Sequence, residues 1–381
     1  MYSKKFIQKI KNFILKETVL SVSLVLAVLS SFIIFPDKKY IDYIDWHTLL
    51  LLFSLMAVMA GFQDLGVFRR IGNSLLSKIT NTRQMMIILV FLPFLFSMLI
   101  TNDVALITFV PFAIIVLRMS KQEKLLIPLV VMQTIAANLG SMLTPMGNPQ
   151  NLYLYAQSKM SFADFILLML PYTVISAICL LLCILFIKKE NIQLSSNQDT
   201  NNQTTLDIKM LTAYLAGFIL CLLCVAKILT PIIPSVIIFI FLLICNKEIL
   251  KKVDYALLGT FICFFIFIGN MGRIDAFCTF LNTILNGHEK IVAVLSSQII
   301  SNVPAALLLS GFSQKWNALI IGTNLGGLGT LIASMASLIS YKQIAGQYPN
   351  LTGKYFKLFT IANIIMLIIL LIADKVITLI A

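Results

Sequence analysis

Three polar residues, Thr101, Asn102 and Asp103, interrupt an otherwise apolar stretch whose arms run over 84–100 and 104–117. A hydroxyl, an amide and a carboxylate side by side offer oxygen ligands to a cation. The hydroxyl and the amide also offer donors to an anion. The carboxylate is the sharpest of the three. Surrounded by hydrocarbon it costs about 2.5–3.5 kcal/mol, so it coordinates a cation, carries a proton or pairs with a neighbouring helix. A second tip, Ser301-Asn302-Val303, interrupts residues 290–314 in the same way. Asn102, Asp103 and Asn302 are the candidate sodium ligands.

Two breaks accompany the tips. The first contains Asn138, Gly140, Ser141, Thr144, Pro145, Gly147 and Asn148, and runs on through Pro149 to Asn151. Its two prolines and its glycine cannot continue a regular helix. The second contains Thr323, Asn324, Gly326, Gly327, Gly329 and Thr330, and is glycine-dense. Broken helices free main-chain groups. Freed N–H groups at a helix start favour an anion, and freed carbonyls favour a cation. Two plainer readings stand beside this one. Asp103 and Asn302 are good helix N-caps. Gly326–Gly329 also suits close packing of small residues between helices.

The elements that must position these residues are apolar helices. The chain of 381 residues is 59% hydrophobic and 12% charged, with mean hydropathy +0.95. Several runs approach the ~20 residues that cross a bilayer core, which makes this a polytopic membrane protein. The net charge of +13 sits in short loops, so it reports topology and not nucleic-acid binding. Residues 1–16 carry five lysines and precede the apolar run 18–35, which has no convincing cleavage site and reads as a first membrane helix. The seven cysteines mostly fall in apolar runs. Cys221 and Cys224 form a lone pair without the second pair a zinc site needs. His47 and His288 have no partner motif. Lys227 is expected to snorkel to the outer surface, and Asp64 to pair locally with Arg69 or Arg70.

The positive-inside rule orders the loops. Let 84–117 and 290–314 each return to the side they entered from, with the N-terminus inside. All but eight of the 29 lysines and arginines then lie inside. The exceptions are Lys38, Lys39, Lys159, Lys227, Arg273, Lys290, Lys315 and Lys375. The C-terminus falls outside. Both interrupted segments are therefore expected to be re-entrant helical hairpins. At ~1.5 Å per residue their arms reach at most roughly 25 Å.

The two halves match. Amphipathic stretches with apolar faces at Phe68, Ile71, Leu75, Leu76 and Ile79, and at Ile274, Phe277, Leu281, Ile284 and Leu285, precede the hairpins. Aligned without a gap, Asn138 meets Asn324, Gly140 meets Gly326, Thr144 meets Thr330 and Tyr155 meets Tyr341. The expected fold is an all-α polytopic membrane protein with two inverted repeats, each holding a hairpin and a broken transmembrane helix. About nine full transmembrane helices accompany the two hairpins. The expected division is a basic cytoplasmic N-terminus (1–16), a first repeat (17–187), a polar cytoplasmic linker (188–208), and an extra helix plus second repeat (209–381).

The motifs Thr101-Asn102-Asp103-Val104-Ala105-Leu106 and Gly147-Asn148-Pro149-Gln150-Asn151-Leu152 resemble the ion transporter superfamily. This group holds citrate-transporter-like permeases, divalent anion:sodium symporters, arsenite permeases and some sodium–proton antiporters. The resemblance implies an elevator-type secondary transporter in the cytoplasmic membrane, often a homodimer. It implies one half-site from Thr101, Asn102, Asp103, Asn138, Gly140, Thr144 and Asn148, and another from Ser301, Asn302, Asn324, Gly326, Gly329 and Thr330. The dicarboxylate symporters carry Ser-Asn-Thr at both tips. Here the tips end in Asp103 and Val303. The first repels a carboxylate unless a cation intervenes, and the second lacks a hydroxyl. The expectation is a permease for a small anion coupled to Na⁺ or H⁺, without a cofactor. The rivals are a sodium–proton antiporter of the same fold, a passive channel, and a membrane-embedded enzyme, for which no nucleophile–base motif is present.

Overall fold

A computed structural model describes residues 17–76, 79–192 and 207–380. The basic segment 1–16 and most of the expected linker, residues 193–206, lie outside the described residues. The described chain is built from helices. Those of the first half are α1 (Thr18–Ile33), α2 (Trp46–Asp64), α3 (Val67–Leu76), α4 (Thr82–Phe96), α5 (Asn102–Met119), α6 (Leu126–Ser141), α7 (Pro149–Gln157) and α8 (Phe162–Leu185). They are followed by α9 (Ile208–Val225), α10 (Ile232–Cys245), α11 (Tyr255–Met271), α12 (Asp275–Leu285), α13 (Glu289–Ile300), α14 (Asn302–Ser310), α15 (Trp316–Leu325), α16 (Met335–Gln347) and α17 (Thr352–Ile380).

Short polar side chains set several helix starts by accepting otherwise unpaired N–H groups. Asp45 accepts from Thr48 at the start of α2, Asn81 from Gln84 at α4, and Asp254 from Leu257 at α11. Ser161 and Asp164 cap α8 reciprocally.

Among the described residues six helices are long and apolar enough to cross a membrane, or seven if a bent pair counts as one span. That is fewer than the nine expected, for physical reasons. The helices α1 and α10 have only 16 and 14 residues. The runs 125–155 and 316–341 are each broken in the middle. The amphipathic α12 leaves α11 at 103°, turning off the span in place of extending it.

The helices pack in two groups. In one, α1 lies along α11, and α2 packs against α9 and α10. In the other, α4 and α5 pack on α6, α13 and α14 on α15, and α16 on α5 and α6, while α17 closes against α6 and α8. The groups meet where α2 touches α7 and where α11 touches α14. A cavity of about 350 Å³ at the first junction is lined by His47, Tyr155 and Lys227 among others. Lys227 does not simply snorkel. Its ammonium donates to the carbonyls of Ser158 and Met160, both at 3.0 Å, and lies 4.6 Å from the Tyr155 ring centroid. Asp64 pairs with Lys252, in the loop before α11, where a local partner, Arg69 or Arg70, was expected.

Residues 188–192 of the expected linker return along the start of α4. Arg83 Nε donates to the Ile187 carbonyl (2.7 Å), Thr82 to that of Lys188 (2.8 Å), and Glu190 pairs with Lys124 (2.6 Å). These contacts fasten the open end of the α4–α5 pair, whose other end carries Asp103.

Candidate functional site

The first tip is the turn between α4 and α5. Thr101 is the N-cap of α5 in extended conformation, and its side chain caps nothing. This corrects the expectation that Asp103 is the cap. The Asn102 side chain accepts the N–H of Asp103 (3.0 Å) and donates its amide to Asn138 Oδ1 (3.0 Å). Asp103 is left in the first turn, where the helix N-terminus favours a negative charge. Its Oδ1 is shielded from solvent and accepts no hydrogen bond.

The second tip is tighter. Ser301, the N-cap of α14, stands at φ +76°, a conformation L-residues rarely adopt. Asn302 is therefore the first helical residue and not the cap expected. Its N–H donates to the Ala333 carbonyl at 3.0 Å, fastening the tip to the second break. Strain held in this way concentrates at functional sites.

The first break runs from the end of α6 to α7. Ser141 closes α6 by donating to the Asn138 carbonyl (2.9 Å). Thr144 donates to the Met98 carbonyl beside the first tip. Pro145 starts a buried single turn, Pro145–Gly147, and Asn148 caps α7 by accepting from Asn151 N (3.0 Å). Gly140 and Gly147 are required by close approach. A Cβ on Gly140 would strike the Phe94 carbonyl, and one on Gly147 the Ser141 carbonyl.

The second break repeats these contacts at the positions the ungapped alignment pairs. Thr330 donates to the Gln298 carbonyl (3.1 Å), as Thr144 does to Met98. Gly326 lies against Ser297 as Gly140 lies against Ser97, and Gly327 lies against the Asn302 amide. Gly329 has φ +102°, and a Cβ there would collide with the Gln298 amide oxygen. Thr323 is the exception among the expected residues. Its hydroxyl returns to its own helix at Leu319 (2.8 Å).

Two asparagines tie the breaks together. Asn324 accepts from Asn148 (3.2 Å) and donates to Asn151 Oδ1 (2.6 Å). Asn138 accepts from Ser334 (3.0 Å) and donates to Ser337 (3.3 Å). The alignment that pairs Asn138 with Asn324 also pairs Asn148 with Ser334 and Asn151 with Ser337. Each repeat's asparagine thus holds the other repeat's break. Asn151 lies in the expected first break without a role of its own having been assigned, and the roles of Ser334, Ser337 and Gln298 were not expected from the sequence. Only the alignment signalled Ser334 and Ser337, and nothing signalled Gln298.

The bonds gather the N-termini of α5, α14 and α16 around residues 333–334, which creates a region of partial positive charge. Asp103 is the one carboxylate among these residues. Such a place can hold an anion on main-chain N–H groups and a cation on the carboxylate.

The model of the citrate transporter family matches residues 10–315. An uncharacterised transporter of Methanocaldococcus jannaschii is 34% identical over 94% of this chain and 96% of its own length. The inner membrane protein YbiR of Escherichia coli is 30% identical over 82% of this chain and 84% of its own. A silicon efflux transporter, LSI3, of Oryza sativa subsp. japonica is 35% identical over 36% of this chain and 28% of its own. With its apolar helices and these relatives, the chain is a multi-pass membrane transporter, not an enzyme, and belongs to the citrate transporter family.

Proposed function

We propose that the protein is a secondary transporter that moves a small anion or neutral oxyacid across the cytoplasmic membrane, coupled to Na⁺ or H⁺ through Asp103. The observation that carries this reading is the unpartnered Asp103 carboxylate oxygen beside gathered helix N-termini. The repulsion between Asp103 and a carboxylate substrate favours a small inorganic species over citrate. The silicon efflux relative supports extending the substrate class to neutral oxyacids.

The proposed architecture is two inverted repeats with hairpins at 84–117 and 290–314, the N-terminus inside and the C-terminus outside. The short arms of the second hairpin, 12 and 9 residues, support a re-entrant tip. The recurring contacts of Thr144 and Thr330, and of Asn138 and Asn324, support the repeat. The repeats occupy 17–187 and 209–381, with the polar linker 188–208 between them and residues 1–16 in the cytoplasm. The two packing groups support an elevator, in which the hairpins and broken helices move against α1, α2 and α9–α11. A homodimer is implied by the family resemblance. The candidate ligands are Thr101, Asn102, Asp103, Thr144, Ser301, Asn302 and Thr330 with the helix N-termini, and the remaining expected residues hold them in place.

The test is uptake into proteoliposomes of arsenite, phosphate, silicic acid and citrate, each under an imposed Na⁺ or pH gradient. One of the first three should accumulate uphill under one gradient. Asp103→Asn should abolish the gradient dependence. Uphill citrate uptake with unchanged cation dependence in that variant would sink the reading. Cation exchange without any of the four solutes would favour the sodium–proton antiporter.

A further inference from the structure

Lys227 departs from a local preference. It is the second residue past the end of α9, where the chain makes a Schellman turn. Lys227 N donates to the Cys224 carbonyl and Ile228 N to that of Leu223, both at 2.9 Å. The turn sets Lys227 at φ +61°, a conformation that favours glycine and strains a residue with a side chain. Such departures mark functional positions, and the reason for the lysine lies in its side chain.

The Lys227 ammonium reaches across the boundary between the two packing groups. Helix α9 packs with α2, in the first group. The Ser158 and Met160 carbonyls and the Tyr155 ring that receive the ammonium lie at and just beyond the end of α7, in the second. Ser158 is the C-cap of α7, and a helix C-terminus favours a cation. One residue earlier, Gln157 Nε2 donates to the Asp45 carboxylate at the start of α2 (2.7 Å). The same helix end is thus tied to α9 and to α2. The cavity at this junction leaves little close apolar packing to hold the groups together there. At the other end of α2 the crossing bond, from Gln63 to Thr108, is longer at 3.3 Å.

We propose that Lys227 and the Gln157–Asp45 bond form a latch on the end of α7, which holds the conformation seen here and must open before the hairpins and broken helices move. This rests on the elevator reading above and adds to it the contact that sets the balance between two states. A slide of α7 by one helical turn, about 5.4 Å, exceeds the reach of the Gln157 bond and draws both carbonyls and the ring away from Lys227 together. The latch therefore acts on populations and not on solute contacts.

Spin-label distances on the full chain in lipid nanodiscs test this. The native cysteines are replaced by alanine, and labels are placed at Lys159→Cys, in the loop after α7, and Ile232→Cys, at the start of α10. Both positions are exposed. With the latch intact one distance should dominate. Lys227→Gly with Gln157→Ala removes both ties and should raise the second population at least about five-fold. Glycine suits the end of α9, and Asp45 keeps its place as the cap of α2, so thermal unfolding should change little. Gln157→Lys pairs with the Asp45 carboxylate and should deplete the second population, whereas Lys227→Arg should leave it near the wild-type value. A second population that does not rise in Lys227→Gly with Gln157→Ala would overturn the latch and leave the elevator standing. A single distance in every protein would overturn the elevator reading, and the latch with it.

Discussion

Removing Lys290 alone, which strands the charge of Asp374, should destabilise the protein more than removing the whole ion pair. Lys290, at the start of α13, lies 2.7 and 2.8 Å from the two carboxylate oxygens of Asp374 on α17. Tyr172 on α8 donates to the same carboxylate at 2.6 Å. The side chains of Lys290 and Asp374 are 24% and 10% exposed, so neither charge is well hydrated. Breaking a buried pair from one side costs about 3–5 kcal/mol, because the other charge is left uncompensated. Lys290→Met should cost in that range, since Asp374 keeps only Tyr172. Asp374→Asn should cost less, about 2–3 kcal/mol, because water reaches part of the orphaned ammonium. Lys290→Met with Asp374→Asn removes both charges, keeps an oxygen acceptor for Tyr172 and leaves only an amide N–H group unpaired, at about 1–3 kcal/mol. The double-mutant cycle should therefore return at least about 2 kcal/mol of coupling. Equilibrium unfolding in mixed micelles measures it. Additive single effects would refute the reasoning, and would mean that the pair is hydrated in the membrane-bound protein. The pair also anchors the base of α13, the helix that carries Gln298. Lys290→Met should consequently increase hydrogen exchange at residues 326–330.

Three further outcomes are expected. Gly140→Ala forces a methyl onto the Phe94 carbonyl, a main-chain atom that cannot move aside alone, and should cost at least about 1–3 kcal/mol in thermal or micelle unfolding. Asn324→Ala leaves the buried Asn151 Oδ1 without its donor and removes one partner of Asn148, and should cost about 1–3 kcal/mol, while Asn324→Asp should be worse because it buries a charge; unfolding of the three proteins under one condition ranks them. Hydrogen bonds from Lys124 and Gln122 hold the exposed Glu190 carboxyl below its usual range. Its contribution is complete above the ordinary carboxylate range and is lost as pH falls through the lowered value, so Glu190→Gln should lower stability slightly at neutral pH, converge with the wild type in acid, and so flatten the acid limb of a stability-against-pH curve.

The tips and breaks were legible because proline, glycine, asparagine and aspartate inside apolar runs have local causes. Pro145 and Pro149 interrupt a helix whatever surrounds them. The 103° turn after α11 was legible in the same way, since the apolar face of residues 274–285 cannot continue a span. What depended on partners distant in the chain was not legible. Lys290 read as a charge of an outer loop and Asp374 was not singled out, and only the fold brings the two side chains together. Asn151, Ser334 and Ser337 become meaningful once Asn138 and Asn324 are seen to reach across to the other break. The capping role given to Asp103 failed for a local reason with a distant cause. Asn138 draws the Asn102 amide toward itself, which turns the Asn102 oxygen onto the Asp103 N–H.

The asymmetry between the halves has a consequence for the transport cycle. Two related tips that both ended in carboxylates would place like charges around one solute, and one of them would have to stay neutral. Asp103 opposite Val303 avoids this. With one cation bound, the first half-site becomes neutral overall, and the gathered helix N-termini then favour an anion or a polar oxyacid. Without the cation, the same carboxylate repels an anion. On the proposed coupling role of Asp103, solute and cation should therefore bind in one linked step. The second half is closed by Gln298 and fastened through Asn302 to Ala333. A functional Val303→Asp protein that kept its cation stoichiometry would break this logic, because a second carboxylate should demand a second cation.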